Sequence, residues 1–235
     1  MMARLSLCVI ARNESRFLGD CLASVAPWVD EVVVVDTGSE DETVEIASSM
    51  GARVLHHPWN EDFAEARNVG LAAATGDWIL TLDADERLGP GAGAMIRAAI
   101  EDPRIDAFFL LLHSAARLDA TPEEVVSGAA RMDAPIRVLR LFRNVDAPRF
   151  TRRVHEHLGE WLQARPGRAG VLDDVSRCPG IRWSLRGAAS GHLAAYVLAP
   201  SVAVALLRLG RSLRARPRSG SESAPGHPTL FPGSS

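Results

Sequence analysis

Val32-Val33-Val34-Val35 is a run of β-branched residues with no polar interruption. A strand with one wet face alternates apolar and polar side chains, so an unbroken run needs cover on both faces, which points to a parallel sheet flanked by helices. The neighbouring segments agree. Leu5-Ser6-Leu7-Cys8-Val9-Ile10 reads as a first strand, and Phe17, Leu18, Cys21, Leu22 and Val25 then share one face of a helix that Pro27 stops. Past Asp36-Thr37-Gly38, Ser39 and Glu42 have capping-box spacing and predict a helix that runs to Met50 and is closed by Gly51. Ala52 to His56 predicts a third strand, Ala64 to Thr75 a third helix with Gly76 at its end, and Asp77 to Leu82 a fourth strand.

Four strands alternating with three helices between residues 5 and 82 indicate an α/β fold. It is read as a doubly wound, mostly parallel sheet with helices on both faces, in which ligands sit beyond the carboxyl ends of the strands. Asp36, Asp83 and the loop Ala11 to Glu14 all lie at such ends. Ala94 to Ile100 predicts a further helix, and Ala107 to Leu112 and Ile136 to Phe142 two more strands, whose place in the sheet the sequence leaves open.

With 235 residues, 47% hydrophobic and 23% charged, the chain can bury a substantial core, and disorder throughout is excluded. The net charge of -3 hides an uneven spread: residues 1–160 hold 16 arginines against 26 acids, and 161–235 hold 10 against 3. The chain has no lysine, and its arginines form no basic stripe interleaved with aromatics in the first 160 residues, so nucleic acid is not favoured as a partner. Cys8, Cys21 and Cys178 are odd in number and widely spaced, which argues against a disulfide framework or a zinc site and for a reducing cytoplasm. The first apolar run passes into Arg12-Asn13-Glu14 without a small-residue cleavage site and reads as a strand, not a signal peptide. From 161 on, Pro, Gly, Ser and Arg dominate, and the tail is expected to be irregular or partly helical. Its one apolar run, Leu193 to Leu207, is too short for a membrane span and is expected to be a short helix or a peripheral membrane contact. The expected division is therefore 1–160 as one domain and 161–235 as an appendage.

The chemistry concentrates in Thr81-Leu82-Asp83-Ala84-Asp85-Glu86. On an extended backbone Asp83 and Asp85 point the same way, with only the Ala84 methyl between them, so a hard cation carrying phosphate oxygens can approach; such oxygen ligands suit magnesium or manganese. Taken alone, acids at a strand end fit a solvated turn or a helix N-cap equally well.

Four segments in order, Leu7 to Glu14, Val32 to Ser39, Phe63 to Asn68 and Asp77 to Glu86, resemble the family-2 glycosyltransferases of GT-A fold, over residues 4 to 160. The likeness is greatest to the branch that includes lipopolysaccharide-core and peptide-modifying enzymes, often followed by tetratricopeptide repeats. The resemblance implies a hexosyltransferase that moves a sugar from a nucleoside-diphosphate sugar, most often a UDP-sugar, to a glycan, lipid-linked or peptide acceptor. It implies inversion at the sugar and a Mg2+ or Mn2+ cofactor. Ala11, Arg12, Asn13 and Glu14 match the loop that contacts base and ribose; Asp36 matches the acid at the second strand end, with Gly38 allowing close backbone approach. Arg67 and Asn68 match an Arg-Asn pair facing the nucleotide, with Asp62 placed to orient the arginine. Asp83 and Ala84 match the ribose- or metal-contacting part of the acidic motif, and Asp85 the direct metal ligand, with Glu86 as a neighbour of the pair. Arg140-Leu141-Phe142-Arg143-Asn144 and Arg153-Val154-His155-Glu156 resemble the segment that ends the catalytic domain, where His155 completes the metal sphere and Glu156 serves as general base. Trp28 and Trp59 are read as packing residues. The cysteine pattern and the apolar run of the tail together lead to an expected place in the cytoplasm, at the inner face of the membrane. Two rival functions stay open: a nucleotidyltransferase, which also sets aspartates at α/β strand ends, and a non-catalytic nucleotide-sugar-binding remnant or interaction module.

Overall fold

The computed structural model describes residues 2–172 and the backbone of 205–209. Its first half follows the expected alternation: β1 (Leu5–Ala11), α1 (Leu18–Val25), β2 (Glu31–Asp36), α2 (Thr43–Ser49), β3 (Arg53–His56), α3 (Phe63–Ala73) and β4 (Trp78–Asp83). Then come β5 (Glu86–Leu88), α4 (Ala92–Ala99), β6 (Ala107–Ala115), α5 (Pro122–Ser127), β7 (Ile136–Arg143), α6 (Gly159–Gln163), β8 (Ala169–Leu172) and β9 (Ala205–Leu209). They form one sheet in the order β3-β2-β1-β4-β7-β6-β9-β5, with β8 paired to β6 off that path. β1 pairs in parallel with β2 and β4, and β2 with β3. β7 lies antiparallel between β4 and β6, so β6 again points the way β4 does. β8 takes the first half of β6 and β9 the second. The sheet is mixed, mostly parallel and covered by helices, as the valine run requires.

Side-chain alternation sorts two cores. Leu5, Leu7 and Val9 of β1, with Trp78, Leu80 and Leu82 of β4, pack under α1 and α4. Cys8, Val33 and Ile79 face the other way, toward Ala64 and Leu71 of α3, Phe142 and Trp161. Trp78 is fully buried and stacks on Phe108 at 5.7 Å between ring centroids. By the same alternation Asp83 ends β4 on the α3 side, and this decides what it meets.

Several local expectations change. Ser39 does not cap α2: its hydroxyl accepts the Asn13 N–H at 2.9 Å, and the helix starts only at Thr43, whose N–H donates to Asp41 at 3.1 Å. Two loops compete for Ser39, and the contact with Asn13 wins. A capping box does form where the sequence shows only a polar stretch, at Thr121 and Glu124 of α5. Beyond residue 160, α6 and β8 continue the fold: Trp161 is buried and donates its indole N–H to the Val145 carbonyl at 3.0 Å, and Leu172 joins the core. Of the apolar run at 193–207, residues 193–204 lie outside the described residues, while 205–209 are strand where a helix was expected. Cys8 and Cys21 are free and buried; Cys178 lies outside the described residues.

Candidate active site at the strand ends

Register brings the acidic strand ends together. Ala11 lies opposite Asp36, and Ile10 opposite Asp83, so β1 separates the two aspartates by two strand spacings, about 10 Å. The loops beyond are laced to each other. Glu40 N–H donates to the Asn13 side-chain carbonyl at 2.8 Å, Glu14 N–H to the Thr43 hydroxyl at 2.8 Å, and Thr37 N–H to the Ala11 carbonyl at 2.9 Å. Arg12 and Asn13 are exposed above this lattice, and Asn13 adopts a left-handed φ of 55°. Asp36 is buried and accepts the N–H groups of Gly38 and Ser39 at 3.2 and 3.1 Å, with His56 Nδ1 at 3.4 Å. Gly38 has φ 99° with open space around the missing Cβ, so it is needed for the turn and leaves the backbone approachable.

The centre is a chain of alternating charges. Arg67 of α3 donates Nε–H to Glu156 at 2.7 Å and Nη2–H to Asp83 Oδ1 at 2.6 Å. Asp83 Oδ2 accepts from Arg140 of β7 at 3.0 Å, and the same Nη2 reaches Glu86 at 2.6 Å. Glu86 also accepts the Asp83 backbone N–H at 3.0 Å. Burial raises the Glu86 carboxyl to about 7, with Arg140 pulling the other way without cancelling it. Arg140 is held above its ordinary range: burial opposes this, but Glu86 and Asp83 outweigh it. Arg67 is buried beside the Phe150 ring, 5.5 Å from its centroid. The segment 150–157 is thus tied to the end of β4 although 67 residues separate Asp83 from Phe150 in the chain.

Other expected site residues fall differently. β4 ends at Asp83 and β5 begins at Glu86, so Ala84 and Asp85 form a turn, and the same-side alternation expected for Asp83 and Asp85 does not extend through it. The Ala84 methyl joins the core, and Asp85 is buried. Asp62 caps α3 by accepting the Glu65 N–H at 3.0 Å; Asp83 and Glu156, not Asp62, orient Arg67. Asn68 uses its amide on Phe150, donating to the carbonyl at 3.0 Å and accepting the N–H at 2.8 Å, so it clamps a loop where a nucleotide contact was expected. His155 is exposed with φ 56°, and among the described residues no three His, Cys, Asp or Glu side chains are grouped to hold a metal ion; the expected set of Asp83, Asp85 and His155 does not close. The resemblance implies for Glu86 only a place beside the acidic pair, and for Arg140 only a place in the segment that ends the catalytic domain; the ion pair between them is not foreseen. The signal was present: a charge within Val138-Leu139-Arg140-Leu141-Phe142 must find a partner.

Asp83 and Asp85 are carboxylate donors of the kind a hard cation takes together with phosphate oxygens and water. Both Asp83 oxygens accept guanidinium N–H groups, so a cation would share or replace those contacts. A cleft of about 750 Å³ is lined by Asn68 and Phe150, next to Arg67, and by Trp161, Arg165 and Asp106, the last of which precedes β6 at the opposite end of the sheet from Asp83.

A parallel-led α/β sheet with acids and arginines at its carboxyl edge defines a doubly wound class of domain, in which ligands sit beyond the strand ends. Residues 6–115, just under half of the chain, match the model of glycosyl transferase family 2, and through this segment the chain is similar to that family. It is 45% identical over 163 residues to a TPR repeat-containing protein of Synechococcus elongatus, covering 69% of this chain and 37% of that protein. It is 41% identical over 92 residues to an uncharacterized glycosyltransferase of Rickettsia felis, covering 37% of this chain and 30% of the other. The chain thus spans about a third of the length of these curated relatives. Among solved structures, S. aureus TarS in complex with UDP-GlcNAc superposes with a TM-score of 0.55 at 19% identity, covering 72% of this chain and 56% of that one. That likeness is one of fold, and the GT-A type expected from the resemblance is the fold observed. Among the described residues no helix is long and apolar enough to cross a membrane.

Proposed function

We propose that the chain transfers a sugar from a nucleoside-diphosphate sugar, a UDP-sugar by family expectation, to a glycan, lipid-linked or peptide nucleophile, with inversion and with a divalent cation. The observation that supports this reading most is Arg67 holding Asp83 on one side and Glu156 on the other, because it sets a diphosphate-side carboxylate and a candidate base one guanidinium apart. Residues 1–160 serve as the catalytic part and 161–235 as its appendage, acting in the cytoplasm at the membrane face.

In this reading Ala11 to Glu14, Asp36 and Gly38 seat the nucleoside, Asp83 and Asp85 hold Mg2+ or Mn2+, and His155 is a further ligand only if its loop turns inward. The cation, when bound, neutralises charge on the departing diphosphate. Glu156 accepts the proton of the acceptor hydroxyl as that oxygen bonds to the anomeric carbon and the bond from that carbon to the diphosphate oxygen breaks. Arg67 aims Glu156 before the acceptor arrives, through the 2.7 Å contact from its Nε. Attack from the face opposite the leaving group inverts the sugar.

Asp85→Ala is expected to abolish manganese-dependent release of UDP from UDP-sugars, read on protein whose melting curve shows it to be folded, a check needed because Asp85 is buried. Full activity in that variant overturns the reading. Pyrophosphate as product would assign nucleotidyl transfer instead, and donor binding with neither transfer nor hydrolysis would assign a non-catalytic binding module. A thermal-shift screen of nucleoside diphosphates and their sugars, with and without manganese, identifies the base through ligand-linked stabilisation.

A further inference from the structure

We infer that Arg140 and Glu86 are positioning residues: a buried brace that fixes the Asp83 carboxylate for diphosphate binding without itself touching the donor. This rests on the proposed reading that the donor diphosphate binds at Asp83. The brace holds Asp83 at two points. Glu86 accepts its backbone N–H at 3.0 Å, and Arg140 donates to its Oδ2 at 3.0 Å. The pair is closed on itself by the 2.6 Å contact from Arg140 Nη2 to Glu86. With Oδ1 given to Arg67, the two oxygens of Asp83 have different donors, and the plane of the carboxylate is set.

Two independent features point to positioning and not to stability alone. The first is backbone. Phe108 pairs with Leu141 and Phe109 with Leu139, so Arg140 is the extra residue of a β-bulge on β7. Bulges re-aim a side chain at the expense of ladder pairing and recur beside active sites. The second is chemistry. Glu86 is fully buried and Arg140 nearly so, and Arg140 Nε is buried without a hydrogen-bond partner among the described residues. An ion pair desolvated this far contributes little net stability compared with apolar side chains of the same volume. An arginine placed for its own sake would satisfy Nε; in this one Nε is left without a partner among the described residues while Nη2 reaches both Asp83 and Glu86.

The test is calorimetric titration of the full chain with UDP in the presence of manganese chloride, which reads binding without turnover. Arg140→Met combined with Glu86→Gln removes both charges together, so no lone charge stays buried, and the amide can still accept the Asp83 N–H. The double variant is expected to melt close to wild type yet bind UDP and manganese about ten- to a hundredfold more weakly, the usual loss when a ligand-orienting partner is removed. Arg140→Lys keeps a cation against Glu86 and hence the fold, but not the planar fork, and should also bind several-fold more weakly. Wild-type affinity in either folded variant overturns the brace while leaving the functional reading intact. Failure of the wild-type protein to bind any nucleoside diphosphate overturns both.

Discussion

Glu86 opens β5 fully buried, between the Asp83 N–H and the Arg140 guanidinium. Its carboxyl is raised from 4.5 to about 7, by burial above all. A carboxyl whose folded value lies above its unfolded one takes up protons on folding between the two values, so its contribution to stability falls as pH rises from about 4.5 to about 7. Glu86→Gln imitates the protonated form. The melting temperature of that variant relative to wild type should therefore climb across this window, measured with a chelator present; a constant offset would show that Glu86 does not titrate there. His113 of β6 works in the opposite sense. Burial, and then Arg131, lower its imidazole from 6.5 to about 4, so its contribution is lost as pH falls through that range. Comparing Glu86→Gln with wild type cancels the His113 slope, which both proteins share.

Among the elements, α3 carries the residue on which the site turns, and its seat on the sheet is set at Gly70. A Cβ there would lie 3.2 Å from Val35 Cγ2 and 3.7 Å from Cys8 Cβ, so a small residue lets the helix settle close over β1 and β2. Arg67 lies one turn earlier and reaches Asp83 and Glu156 from that height. Gly70→Val is expected to lower stability by about 1–3 kcal/mol through overpacking. It should also weaken nucleoside-diphosphate binding, because raising the helix withdraws Arg67. Denaturant titration and calorimetry on the same sample check the two effects. Unchanged binding in a destabilised variant would mean that Arg67 follows the site independently of its helix. Element boundaries in this half were legible because hydrophobic period and β-branched runs are local signals. The start of α2 was not: Ser39 has cap chemistry and cap spacing, but the tertiary contact with Asn13 claims its hydroxyl.

At the scale of the molecule, the core does not stop at residue 160. Trp161 lies against Phe142, 6.0 Å between ring centroids, and Arg165 sits 4.1 Å over the Trp161 ring while β8 extends the sheet beside β6. Ending the chain at residue 160 should strip cover from Phe142 and lower the melting temperature well below that of the full chain, by scanning calorimetry; equal melting would confine the folding unit to 1–160. The sequence hides this continuation because α6 is five residues and β8 four, too short for periodicity to register against a background rich in Pro, Gly and Arg.

The sequence by itself determined the alternating half of the sheet, the acids at its carboxyl edge and the family likeness, because those depend on side-chain period and on order along the chain. Only the tertiary structure decided which charges meet. The strand order placed β7 next to β4, the bulge turned Arg140 toward Asp83, and the return of residues 150–157 over α3 brought Glu156 to Arg67. Pairings between residues 57 and 89 positions apart leave no periodic trace in a single chain, since each partner is chosen by where the backbone ends up and not by what lies beside it in sequence.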